Sequence, residues 1–304
     1  MTGWGRRLVI AVPYAWLGLF FLVPLLVVVR VSLSDPATAR PPYRPVLAEF
    51  SASGIREFLA GLDLETFATL LSDDIYWRSA LSSLRIAALS TGLLLLIGYP
   101  IAHAMARAPR RWRPALVAAV ILPFWTSFLI RVYAWTLIFK PEGLLNHALL
   151  GLGLIGQPLQ ILNTEAAVFI GVVYAYLPFM ILPLYAALER QDPGLVEAAA
   201  DLGASPLRAF WTVTVPLSAP GIAAGCLLCA IPITGEFVIP DLLGGSETLM
   251  IGRQLWSEFF SNRDWPLASA VALLLLVLLV GPIVLFRHVE ARRAEAAASV
   301  GPHG

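Results

Sequence analysis

Five ionisable side chains lie within or beside long apolar runs of this 304-residue chain: Arg85, Arg131, Glu165, Glu236 and Asp241. A charge is costly in hydrocarbon, so such residues face a bundle interior or a water-filled path. Glu236 is the sharpest candidate. Pro232 removes a backbone donor and Gly235 loosens the chain just ahead of it, which predicts a broken helix there. Irregular backbone at that depth lines protein or water, placing Glu236 and Asp241 near an outer gate. Carboxylates at a gate complement a cation. Trp125, Tyr133, Trp135, Tyr174 and Tyr176 offer ring faces for cation–π contacts of about 0.5–2 kcal/mol each. Taken singly, each ring equally suits an interfacial belt or plain helix packing. Glu165 opens a span, where the helix dipole favours an acid. Arg85 sits one turn into its span and can snorkel outward. Arg131 lies deeper, and either pairs with an acid on a neighbouring helix or belongs to the path.

Other chemistries find little support. Cys226 and Cys229 are the only cysteines, so a disulfide framework is excluded. As a metal pair they lack a nearby histidine, and they read as small packing residues. His103, His147, His288 and His303 give no buried Ser–His pair at matching depth and no His-Glu-x-x-His motif, which argues against an intramembrane enzyme. The single lysine, Lys140, is followed by Pro141, so the chain has no phosphate-binding P-loop. No basic stripe with interleaved aromatics suggests nucleic acid.

The elements that must position these groups are membrane helices. The chain is 58% hydrophobic and 13% charged, with a mean hydropathy of +0.77, well above a soluble domain. Six segments are long enough for a hydrocarbon core that takes about 20 residues to cross. They lie near 9–31, 80–106, 115–139, 165–187, 217–239 and 267–286. Ala37-Thr38-Ala39 resembles a signal cleavage site, but the apolar run from Leu8 to Val29 is too long for a signal peptide and reads as a retained helix. Arg6 and Arg7, the cluster Arg107, Arg110, Arg111 and Arg113, and Arg287, Arg292 and Arg293 all fall on one side of a six-span chain. Positive charge marks the cytoplasm, so both termini are expected there. The segment 33–78, with seven acids against four arginines, is then outside. Gly221 and Gly225 give the fifth span a small-residue face suited to close helix approach, compatible with pairing against a second subunit.

One polar island, 188–216, departs from this pattern. Asp192 followed by Pro193 predicts a capped helix with Leu195, Val196, Ala199 and Leu202 along one face and Gly203 in the left-handed position at its end. Ser205 and Pro206 repeat the signal for a second short helix, which Pro216 is expected to close. Four acids (Glu189, Asp192, Glu197, Asp201) against Arg190 and Arg208 run counter to the arginine rule, as expected of a segment kept for a protein partner.

The run Glu197-Ala198-Ala199 through Gly203-Ala204, followed by Val215-Pro216-Leu217 and Pro220-Gly221-Ile222, resembles the coupling loop of permease subunits of ATP-binding-cassette importers. Leu122–Arg131, Lys140–Asn146, Gly235–Gly245, Met250-Ile251-Gly252, Arg263–Leu267 and Pro41-Pro42-Tyr43 resemble the polyamine (putrescine/spermidine) branch over nearly the whole chain. Gly235-Glu236 departs from that pattern by holding its acid on the longer side chain. The resemblance implies an all-α membrane protein of six transmembrane helices with a cytoplasmic coupling helix, the type I importer permease fold. It divides the chain into an N-terminal segment with the first helix (1–32), a periplasmic loop (33–78), a transmembrane core (79–287) carrying the coupling loop (188–216), and a cytoplasmic tail (288–304).

The implied partners are a cytoplasmic ATPase dimer, a second permease subunit, a periplasmic substrate-binding protein and lipid of a bacterial inner membrane. ATP and magnesium belong to the ATPase, and no cofactor to this chain, a transport subunit and not an enzyme. Glu197, Ala198, Ala199, Asp201, Leu202 and Gly203 are the implied coupling residues; Glu236, Asp241, Trp125, Tyr133, Trp135 and Tyr174 are candidates for the path of a diamine. A permease for another small organic solute is the alternative. An ion-coupled carrier would show more intramembrane acids and an inverted repeat.

Overall fold

The computed structural model describes residues 3–46 and 51–299. The end of the expected tail, including His303, lies outside the described residues, as do the side chains of Arg6, Arg7, Arg287, Arg292 and Arg293. The described chain is helical nearly throughout, and it divides into two compact units.

One unit joins the chain up to Ala80 with the chain from Gln254 on. α1 (Gly3–Leu17) passes through a π-turn at Gly18–Leu22 into α2 (Val23–Ser32), forming the first span. Val12, Trp16 and Phe20 are exposed on this helix, as lipid-facing residues are. β1 (Asp35–Pro36) and β2 (Tyr43–Arg44) make a short antiparallel ribbon, followed by α3 (Ala52–Ala60) and α4 (Glu65–Ser72). α16 (Trp265–Ser299) packs along α2 and α4. It extends well past the expected end of the sixth span. Arg30 at the end of α2 anchors the ribbon: its guanidinium donates to the Pro45 carbonyl at 3.1 Å and lies over the rings of Tyr43 and Phe58 at 5.4 and 4.8 Å.

The second unit runs from Leu81 to Arg253. α5 (Asp74–Arg107) leads into it as the second span. The expected continuous third span, 115–139, is corrected to a broken one. α6 (Arg113–Ile121) gives way to a 3-10 turn at Leu122–Trp125, and α7 (Phe128–Phe139) continues with α8 (Leu144–Gly151) at 84° to the first half. Pro123 weakens the helix here, since it lacks an N–H and its ring crowds the preceding turn. Thr126 recovers part of the loss by donating its hydroxyl to the Pro123 carbonyl at 2.9 Å.

α9 (Glu165–Glu189) is the central helix. Val168, Val172, Tyr176, Met180 and Leu184 recur every four residues and are all buried, so they form one inward stripe. After α10 (Pro193–Asp201) and α11 (Pro206–Ala209), a π-turn at Phe210–Thr214 carries the chain into α12 (Val215–Leu217). The helix that starts at Pro206 thus runs without a gap through the π-turn to Leu217, ending one residue past Pro216, where that proline was expected to close it, and the chain then bends by 64° into the next helix. α13 (Ala219–Thr234) packs on α9, with Gly221 against Ala187 and Gly225 against Met180. The small-residue face is thus used inside the chain. α13 stops at Gly235, where the break was expected, and α14 (Val238–Leu243) and α15 (Ile251–Trp256) follow.

Candidate functional site

The break between α13 and α14 opens onto a cavity of about 970 Å³ whose lining includes Phe124, Phe128, Arg131, Tyr176, Phe179 and Glu236. Proline and glycine at 232 and 235 create the break, and Glu236 then completes it. Its Oε1 accepts the backbone N–H groups of Phe237, Val238 and Ile239 at 3.1, 2.9 and 3.4 Å, capping the first turn of α14. Its Oε2 accepts the Tyr176 hydroxyl at 2.6 Å. The residue is only 8% exposed. A buried carboxylate needs such partners, because desolvation without them is prohibitive. Gly252 lies against the same break, where a Cβ would collide with the carbonyl oxygens of Gly235 and Glu236.

Arg131 supplies the opposite charge. It projects from the first turn of α7, with its guanidinium carbon 5.0 Å from the Phe124 ring centroid and 5.8 Å from that of Phe128. Its Nε is buried without a hydrogen-bond partner. The ion pair with an acid on a neighbouring helix, one of its two expected roles, is absent among the described residues. The other two intramembrane charges do pair: Arg85 donates to Glu165 at 2.7 Å, joining α5 to the start of α9. Glu165 opens α9 as expected, and both side chains are partly exposed; the pairing between them is an addition that the sequence did not indicate.

The remaining path candidates do not gather at the cavity. Asp241 pairs with Arg253 Nε at 3.3 Å. Trp125 lines a different hollow, of 850 Å³, with Arg110, Arg113 and Glu189. Trp135 packs edge-on to Tyr174 at 5.4 Å and against Phe139 at 4.9 Å, and Tyr133 is exposed. For Trp135 and Tyr174 the packing alternative therefore fits. Phe124, Phe128 and Phe179 were missed. The available signal was spacing, since Phe179 follows Tyr176, and Arg131 follows Phe128, by three residues, which shares a helix face. Cys229 is buried and free, with its thiol 3.7 Å from the Tyr176 carbonyl, and Cys226 is also free.

The polar island forms a second site. Asp192 Oδ1 accepts the Gly194 N–H at 3.0 Å, capping α10 as its sequence predicts. Gly203 has φ +84°. Its N–H reaches the Ala200 carbonyl at 2.8 Å, and the Ala204 N–H reaches that of Ala199 at 3.0 Å, a Schellman ending. Ser205 accepts the Arg208 N–H at 3.4 Å to start α11. Glu197, Ala198, Asp201 and Gly203 are exposed, Ala199 is half-buried, and Leu202 is 90% exposed. The predicted apolar face thus splits: Val196 and Ala199 turn inward, while Leu195 and Leu202 face out, as do Leu207 and Trp211 just beyond. Glu197 borders a hollow of 550 Å³ that also holds Arg107, Arg110 and Arg113.

A family model described as the binding-protein-dependent transport system inner membrane component matches residues 95–295. The spermidine/putrescine transport system permease protein PotB of Haemophilus influenzae is 38% identical over 288 residues, covering 95% of this chain and 94% of that protein. The protein of the same name from Escherichia coli is 39% identical over 264 residues, with coverage of 87% and 90%. Among solved structures, a bacterial alginate ABC transporter in complex with an alginate pentasaccharide-bound periplasmic protein matches with a TM-score of 0.67 at 19% identity, over 96% of this chain and 95% of that one. At that identity the match speaks to the fold alone.

Proposed function

The chain belongs to the binding-protein-dependent transport system inner membrane components, the permease subunits of ABC importers, and from that premise we propose that it forms half of a path for polyamines, putrescine foremost. It is a multi-pass inner-membrane transport component and not an enzyme. The observation that carries the polyamine assignment is the 38% identity to a spermidine/putrescine permease over 95% of the chain.

In this reading a second permease completes the path, a periplasmic binding protein delivers the cargo, and a cytoplasmic ATPase dimer holds ATP and magnesium. Both termini and the 188–216 island face the cytoplasm, in keeping with the arginine distribution, and the 33–78 segment faces outward. ATP-driven closure of the ATPases moves α10 and switches the cavity between the two sides. Ala198 and Leu202 enter the ATPase groove, Glu197 holds a cation at its rim, and Gly203 sets the turn that presents them. Exposed apolar groups on a polar segment support such docking. A diamine has two charges and a short apolar linker, and a cavity with one carboxylate and several rings suits that chemistry.

The test begins with the tagged chain purified in mild detergent, with its co-purifying proteins identified by mass spectrometry. An ATPase and a second permease are expected. The assembled complex, reconstituted with its binding protein, should take up labelled putrescine only with ATP. Uptake abolished by depolarisation alone, with ATP intact, would establish an ion-coupled carrier instead.

A further inference from the structure

The aromatic faces best placed to receive a cation in this cavity already hold one. The Arg131 guanidinium lies over Phe124 and Phe128, and Nε, buried, has no hydrogen-bond partner. The carboxylate of the same cavity is committed as well, to Tyr176 and to three backbone N–H groups of α14. An incoming ammonium group therefore meets a positive charge seated on the rings it would use and a negative charge whose lone pairs are largely taken. We propose that Arg131 is a resident cation that occupies this aromatic seat when the path is empty, and that a cargo ammonium passes by displacing it from Phe124 and Phe128. The inference rests on the polyamine reading of the cargo.

Two observations and one general property favour displacement. The guanidinium is held by ring faces and not by an ion pair, so leaving breaks no salt bridge among the described residues. Thr126 and Ser127, between the two helices, form an extended joint that lets α7 shift relative to the 3-10 turn bearing Phe124. The rings remain attractive to whichever cation replaces it. Small inorganic cations hold their water strongly and compete poorly for an apolar ring face, whereas an organic ammonium on a methylene chain competes well. Arg131 thereby favours organic cations and keeps the empty seat closed.

The test uses the complete transporter with its ATPase and second permease, in detergent without the binding protein, and measures direct binding of labelled putrescine by the wild type, R131Q and R131K. R131Q should bind roughly tenfold more tightly than the wild type, the scale of one recovered cation–π contact. R131K, which retains a cation for the rings, should stay near the wild type, and F124L combined with R131Q should lose the gain. Equal binding by R131Q and wild type overturns the proposal, as does R131K binding as tightly as R131Q. Loss of the second permease from purified R131Q also overturns it, by assigning Arg131 to the subunit contact. If the reconstituted wild type imports no putrescine, the cargo assignment itself falls. Wild-type import without a gain in R131Q removes the resident cation alone.

Discussion

A carboxylate survives in an apolar span only while its oxygens are occupied, and Glu236 meets that condition with one phenol and three amides. Its first effect is therefore on the shape of the break. Glu236→Ala orphans the Tyr176 hydroxyl and uncaps α14, and each buried polar group left unpaired costs about 1–3 kcal/mol. The purified variant should melt at a clearly lower temperature than the wild type, and Tyr176→Phe should show a smaller drop. A residue serving only as a cargo ligand would instead leave the melting temperature unchanged while uptake fell. The sequence marked Glu236 because an acid in an apolar run is conspicuous. It could not show what saturates the acid, since Tyr176 is sixty positions away and the bond exists only once α9 packs beside α13. The same separation hid the Arg85–Glu165 pair.

Single elements were legible where the signal is local. The continuous spans Val9–Ser32, Asp74–Arg107 and Glu165–Glu189 follow from apolar length, and the ends of α10 follow from Asp192, Pro193 and Gly203, whose bonds are made within a few residues. The 84° bend in the third span was missed because Pro123 in an apolar run is compatible with either a mild kink or a full break, and packing decides between them. Gly203 permits a direct test of geometry against space. A Cβ there would meet nothing within 4 Å, but φ of +84° costs an ordinary L-residue about 1–2 kcal/mol. Asn tolerates the left-handed region better than most residues. Gly203→Asn should thus retain more ATP-coupled uptake than Gly203→Val, with both variants inserted at normal levels. Equal loss in the two would mean that bulk at this surface matters and the turn does not.

At the level of the whole assembly, the proposed coupling to an ATPase needs a surface on this chain that an ATPase could hold. Leu195, Leu202, Leu207 and Trp211 are large apolar residues exposed on a segment flanked by acids and arginines. Lipid explains exposure along a span, including that of Leu207 and Trp211 on the helix Pro206–Leu217, which is half of a broken span, but it does not explain the exposure of Leu195 and Leu202 on the capped surface helix. A protein groove does. Leu202 has almost no contact within its own chain, being 90% exposed, so Leu202→Asp removes little that holds the chain together. In the proposed reading it places a charge against an apolar partner groove, and desolvating an unpaired charge strongly opposes binding. The variant should therefore insert and melt like the wild type, retain the second permease, and lose most of the co-purifying ATPase together with uptake. Glu197→Arg tests the rim of the same contact and should weaken coupling with less effect on ATPase recovery, because a partly solvated charge contributes less than a buried apolar anchor. Full recovery of the ATPase with Leu202→Asp would move the coupling surface away from the end of α10.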